Sequence, residues 1–333
     1  MSDLQDTLTG WLATWRPETT VAVTEPVLLG GGSSKQNWAF DAVWSPTGGG
    51  DRISHQLILR QDAEQGVVST SLAVEAELMD ALAGTGVPVP VVYGVDTTAA
   101  IFAVPTVVVG RLSGRADRAV LRDVDPLGLG PDGRLALAHQ LADLLADIHA
   151  VDAAMLTAVL PDPGPDPAAH GLAHWTSELA GERARGHGGA PVLNDTLAWL
   201  AAHLPAPPGR QVLVHGDFRP ANVLVEGGRV TALLDWELAH LGDPVDDLGW
   251  YTGAIYRREH FLDGWTVEDL LARYHERTGF APDPARLRFW QVFSTFRLTV
   301  IAVRAVRLLA EGSPMGKAAP VERLYALLAK EIG

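Results

Sequence analysis

The stretch Gln211–Tyr251 constrains this chain more than any other, because it sets acidic, amide and imidazole side chains around two short apolar runs. Val212, Leu213 and Val214 lead into His215-Gly216-Asp217, the pattern of a buried strand entering a polar loop. Asn222 follows shortly after. Val223–Val225 and Val230–Leu234 then flank Gly227-Gly228, and a Gly-Gly pair between two β-rich runs signals a tight hairpin. A turn centred there sets Val225 opposite Val230 and Asn222 near Leu233, so the hairpin returns Asn222 beside Asp235. An amide and a carboxylate held together suit a hard cation such as Mg²⁺, which prefers oxygen ligands. Asp217, one loop away, is left to accept a proton.

Those parts are what phosphoryl transfer needs: a metal to neutralise phosphate charge and a carboxylate to orient or deprotonate the attacking hydroxyl. The spacing His215-x-Asp217-x4-Asn222 is that of a kinase catalytic loop. HGDFRPAN, then LDWE, then GDPVDDLGW resembles the aminoglycoside phosphotransferase and choline-kinase-like family, within its branch similar to the kinase domain of acyl-CoA dehydrogenase family members 10 and 11. The resemblance implies an α+β, bilobal, protein-kinase-like fold and an ATP- and Mg²⁺-dependent kinase. It implies Asp217 as catalytic base, Asn222 and Asp235 as metal ligands, and Asp247 of the GDPxxDL run as a brace for the catalytic loop, with His215 in support. Glu237 stands where a protein kinase has Gly; it supports a metal ligand, holds the metal itself or faces the substrate.

A chain of 333 residues can bury a large core and suits two lobes. The expected division is 1–109 for an ATP-binding lobe and 110–333 for a catalytic lobe, with a hinge at 110–114. Without Cys there are no disulfides or thiolate metal sites. Net charge −14 argues against nonspecific nucleic-acid binding and is compatible with a cationic substrate. The first residues lack the basic and apolar regions of a signal peptide, so a cytoplasmic location is expected. Between Val87 and Gly110 the only charge is Asp96, but Pro88, Pro90, Gly94 and Pro105 break the segment into two buried strands rather than a membrane span.

Taken in order, residues 3–15 read as an amphipathic helix and Val21–Leu29 as a strand. Gly30–Ser34 is a glycine-rich turn whose backbone N–H groups can cover ATP phosphates; Ser33, Ser34 and Asn37 are the contact candidates. The third strand, His55–Arg60, places Arg60 where kinases place a phosphate-binding Lys. Ser69-Thr70 reads as the cap of a helix to about Ala83. Glu75 falls inside that helix's apolar stripe; a buried carboxylate needs a partner, and Arg60 is the natural one. Strands follow at about 91–95 and 101–109, then a long helix from Leu135 to Ala150 and further helices to the end.

Trp250, Tyr251, Trp265, Trp290 and Phe296 are aromatic candidates for a pocket wall. Arg297 and Arg304 either bind an anionic substrate tail or pair with surface acids. The expected acceptor is a hydroxyl on a small molecule. An aminoglycoside or other amine would favour Glu237 and Asp243 nearby; a hydroxyacyl-CoA would favour Arg297, Arg304 and aromatic walls. A nucleotide-binding pseudokinase is the non-catalytic alternative, although Asp217, Asn222 and Asp235 all stand.

Overall fold

Alternation of apolar residues in the first hundred positions becomes one antiparallel sheet. The computed structural model describes residues 2–29, 35–62, 71–313 and 316–333. By contacts the chain divides into two units, 1–83 with 89–112 and 84–88 with 113–333.

The sheet of the first unit is built from β1 (Thr19–Val23), β2 (Val27–Leu28), β3 (Lys35–Pro46), β4 (Ile53–Asp62), β5 (Val92–Asp96) and β6 (Thr106–Gly110). Its order is β1-β3-β4-β6-β5, with β2 also on β3. Phe40, Ala42 and Trp44 of β3 alternate onto one face with Leu57 and Leu59 of β4. Helix α1 (Ser2–Ala13) covers that face with Leu8 and Leu12, and the Trp44 indole donates to the Leu12 carbonyl at 3.2 Å. Val21–Leu29, read as one strand, is two, parted around Pro26, which has no N–H for a ladder. β6 starts at Thr106 instead of 101 because Asp96, nearly buried, accepts the N–H groups of Ala100, Ile101 and Phe102 at 3.0, 2.7 and 3.1 Å. Burial opposes ionisation there, but those donors hold the Asp96 carboxyl below its usual range. Helix α2 (Leu72–Leu82) is capped by Ser71, whose Oγ accepts the Ala73 N–H at 3.2 Å. The expected cap, Ser69-Thr70, lies outside the described residues.

The second unit is mostly helical. It holds α3 (Gly130–Ala150), α4 (Pro167–Ala184), α5 (Pro191–Ala202), α6 (Val245–Thr252), α7 (Arg257–His260), α8 (Val267–Thr278), α9 (Pro284–Ala310) and α10 (Val321–Ile332). Two small antiparallel pairs lie among them: β7 (Val212–Val214) with β10 (His240–Gly242), and β8 (Val223–Glu226) with β9 (Arg229–Leu233). Helix α9 runs through the core with Phe289, Trp290, Phe293, Phe296 and Val300 buried. The five aromatic residues proposed for a pocket wall belong to this interior: Trp250, Tyr251, Trp265, Trp290 and Phe296 are each buried. Large rings bury the most apolar area, so core packing claims them first. No helix among the described residues is long and apolar enough to cross a membrane.

Helices α6 and α9 approach closely because Gly249 has no side chain. A Cβ there would lie 2.6 Å from the Trp290 carbonyl carbon and 2.9 Å from the Gln291 nitrogen. Backbone cannot yield as a flexible side chain can. Gly249→Ala is therefore expected to lower stability by about 1–3 kcal/mol, the usual cost of overpacking, read from the urea midpoint. An unchanged midpoint would show that the two helices separate freely.

Candidate active site

Strand β7 delivers His215 at its C-terminal end, and the chain then turns at Gly216, with φ +81°. A Cβ on Gly216 would sit 2.5 Å from the Leu238 carbonyl oxygen, so the HGD run needs glycine for conformation and for space. Asp247 of α6 bonds the backbone of this loop. It is wholly buried, and its two oxygens accept the N–H of His215 at 2.8 Å and of Gly216 at 2.9 Å. His149 of α3 adds a contact at 3.2 Å. Burial alone would raise the Asp247 pKa; His149, His215 and the backbone donors prevail and hold it at about 2.

His215 joins the loop to the hairpin. Its Nε2 faces the Leu234 carbonyl at 3.0 Å, and its Nδ1 receives the Asp217 N–H at 3.2 Å. A carbonyl only accepts and an N–H only donates, so the ring is the neutral Nε2–H tautomer. Burial lowers its pKa accordingly, against the pull of Asp247 and Asp217.

Asp217 is held from two sides. Asn222 Nδ2 donates to its Oδ2 at 2.8 Å and to its backbone carbonyl at 2.9 Å. Arg219 Nε donates to Oδ2 as well, at 3.1 Å, and the guanidinium stacks over Tyr256 at 5.4 Å. Both Asn222 bonds use the amide nitrogen, which leaves the Oδ1 end of that amide as the oxygen a cation can use. Arg219 was missed in the sequence, although its place two residues after Asp217 was the available signal.

The β8–β9 hairpin turns at Gly227 and Gly228, with φ +55° and +77°, as a tight turn of this hand requires. Val225 faces Val230 as expected, but a bulge makes Val223 face Leu233. The Leu234 N–H bonds the Asn222 carbonyl at 2.8 Å, so Asn222 is drawn one residue nearer Asp235 than a regular ladder would set it. The extra residue is Thr231, whose hydroxyl donates to the Ser113 carbonyl at 2.7 Å. Asp235 itself has φ +67°, a left-handed conformation that costs a non-glycine residue energy and is found where a side chain must be aimed. Glu237 follows in a short 3₁₀ turn and is mostly buried.

In the first unit, Glu75 of α2 is fully buried and pairs with Arg60 Nη2 at 3.0 Å, the ion pair expected from the helical stripe. Lys35 Nζ also contacts Glu75, which the sequence reading did not foresee. In the β3–β4 register Asn37 faces Arg60 and Lys35 faces Asp62, so Lys35, Asn37 and Arg60 share one face of the sheet. The parity of Lys35 with Asn37 was legible; the register with β4 was not. Ser33 and Ser34 lie outside the described residues.

Two expectations are corrected. Arg297 and Arg304 both pair with acids: Arg297 is buried against Asp246 at 3.0 Å, away from the surface, and Arg304, partly exposed, contacts Glu178 and Glu182. Asp243 is fully buried, accepting from the Trp290 indole at 2.9 Å and from Arg286 Nε at 2.7 Å. Arg297 and Asp243 are closed to a substrate.

A sheet with a helix carboxylate on its strand cations, and a helical unit with an acid-bearing loop and hairpin, are the two parts of a protein-kinase-like phosphotransferase. The chain belongs to the phosphotransferase enzyme family APH, whose model matches residues 28–290. The acyl-CoA dehydrogenase family member 10 of Mus musculus is 31% identical over 74% of this chain, and member 11 of Rattus norvegicus 27% over 68%. The chain's matches span 24% and 30% of those relatives' lengths. A proposed aminoglycoside phosphotransferase from Ralstonia eutropha has the same fold, with TM-score 0.70 at 22% identity, covering 98% of this chain and 97% of that one. So does aminoglycoside phosphotransferase APH(4)-Ia in a ternary complex with AMP-PNP and hygromycin B, with TM-score 0.61 at 16% identity and coverage of 98% and 97%.

Proposed function

We propose that this chain transfers the γ-phosphate of ATP to a hydroxyl of a small molecule, with Asp217 as the base. The observation that supports this most is the Asn222 amide, which fixes the Asp217 carboxylate through Nδ2 and keeps Oδ1 for a cation. Among the described residues no three His, Cys, Asp or Glu side chains cluster to hold a metal by themselves. That fits Mg²⁺, which takes one or two protein oxygens and completes its shell with phosphates and water. Asn222 and Asp235 are the ligands we assign, and a bound Mg²⁺ would neutralise charge on the phosphates.

In the reaction the acceptor O–H lies against Asp217, which takes the proton as the oxygen bonds to the γ-phosphorus. The bond from that phosphorus to the bridging oxygen breaks, and ADP leaves. Arg60, held by Glu75, is assigned to the nucleotide phosphates, with Asn37, Ser33 and Ser34 as further contacts. Glu75→Gln removes the charge that orients Arg60 and is expected to raise KM for ATP about 10-fold or more, since a charge-assisted bond contributes about 1.5–3 kcal/mol. An unmoved KM would take Arg60 and Glu75 out of nucleotide binding.

The substrate class within this reading stays broad, because Asp243 and Arg297 are buried and Arg304 is paired with Glu178 and Glu182. ADP release from Mg-ATP across aminoglycosides, macrolides, choline-like amines, sugars and hydroxyacyl-CoAs tests it. Turnover with one class supports the kinase reading and names the acceptor. Bound ATP with no turnover in any class favours a pseudokinase.

A further inference from the structure

We infer that Arg297, on α9, is a positioning residue for Asp217, acting through the carbonyl of Gly216; this rests on the role proposed above for Asp217. Asp247 accepts the N–H groups of His215 and Gly216. Those belong to the two peptide planes before Gly216. The plane that carries the Asp217 N–H comes after it. Glycine at φ +81° has no Cβ to restrict how that plane rotates. On its N–H side the plane is tied to His215 Nδ1 at 3.2 Å. On its carbonyl side it is tied by Arg297 Nη2, which donates to the Gly216 oxygen at 3.0 Å. With both ends held, the direction in which Asp217 leaves the backbone is fixed.

Arg297 is itself locked. It is 2% exposed, its Nη2 also donates to Asp246 Oδ1 at 3.0 Å, and its guanidinium lies over the Trp250 ring at 4.8 Å. Asp246 also contacts His240 Nε2 at 3.2 Å. The neighbouring acids of α6 thus divide the loop: Asp247 grips it directly, and Asp246 grips it through Arg297. Stability alone is a weak reason for this pair, because buried ion pairs are often replaced by apolar side chains without loss. Aiming the carboxylate is a reason that an apolar pair could not supply.

The double variant Asp246→Asn/Arg297→Met removes both charges, so neither is left buried alone. It is expected to melt close to the wild type, to keep KM for ATP, and to lower kcat for Mg-ATP turnover, with water as acceptor, by about 10- to 100-fold, the scale of a misplaced catalytic group. Its crystal structure is expected to show the peptide plane between Gly216 and Asp217 rotated or in two orientations. Arg297→Lys, which keeps the charge but replaces the fork by a single point donor, is expected to show a smaller kcat loss of the same kind. An unmoved peptide plane in the folded variants, or an unchanged kcat, would overturn the inference. If the wild type turns over no ATP with water or with any acceptor class, the kinase reading fails, while the orientation of that plane still decides this one.

Discussion

Asp217→Asn is expected to lower kcat by about 10²–10⁴-fold while leaving ATP affinity near that of the wild type, because a positioned base contributes on that scale. The substitution keeps size and shape. Both donors that hold Asp217, Asn222 Nδ2 and Arg219 Nε, bond the same oxygen, Oδ2, so one amide oxygen can still accept from both. What it loses is the ability to take a proton. Steady-state ADP release gives kcat, and calorimetry with AMP-PNP gives the affinity. A variant that lost both together would point to a collapsed loop; one that lost neither would remove Asp217 from the chemistry.

The largest stability effect is expected at Asp247. Asp247→Ala strands the buried N–H groups of His215 and Gly216 and removes the Nε2 partner of His149. Removing one member of a buried charged network costs about 3–5 kcal/mol, so a fall in Tm of roughly 10 °C is expected. The pH dependence carries a sign. The folded pKa is held at about 2, below the ordinary 3.8. The unfolded chain therefore binds this proton first as pH falls, and the contribution is full above about 4 and lost towards 2. Asp247→Asn should show a shallower acid limb than the wild type between those limits. Parallel limbs would mean that Asp247 carries no linked proton.

The sequence made the chemistry legible where spacing alone decides it. His215, Asp217, Asn222 and the glycine pair at 227–228 lie in one short stretch, so a hairpin is enough to assemble them. Glu75 was legible because helical periodicity marks a polar residue on an apolar face. What periodicity cannot give is register and partner. The bulge at Thr231 shifts Asn222 by one residue, and nothing local announces it. Lys35 reaches Glu75 only through the β3–β4 register. Arg297 and Asp243 looked available because a charged side chain is usually exposed, yet each is buried by a helix distant in sequence. The aromatic candidates show the same limit: a ring's size says that it will be buried, as all five are, not against what.

The central claim is that Asp217 drives phosphate onto an acceptor hydroxyl. The most direct measurement is ³¹P NMR of Mg-ATP incubated with the acceptor that elicits ADP release, using wild type and Asp217→Asn in parallel. A phosphomonoester signal on the acceptor growing with the wild type and nearly absent with the variant is the result expected. The same signal growing at the same rate with the variant would contradict the account.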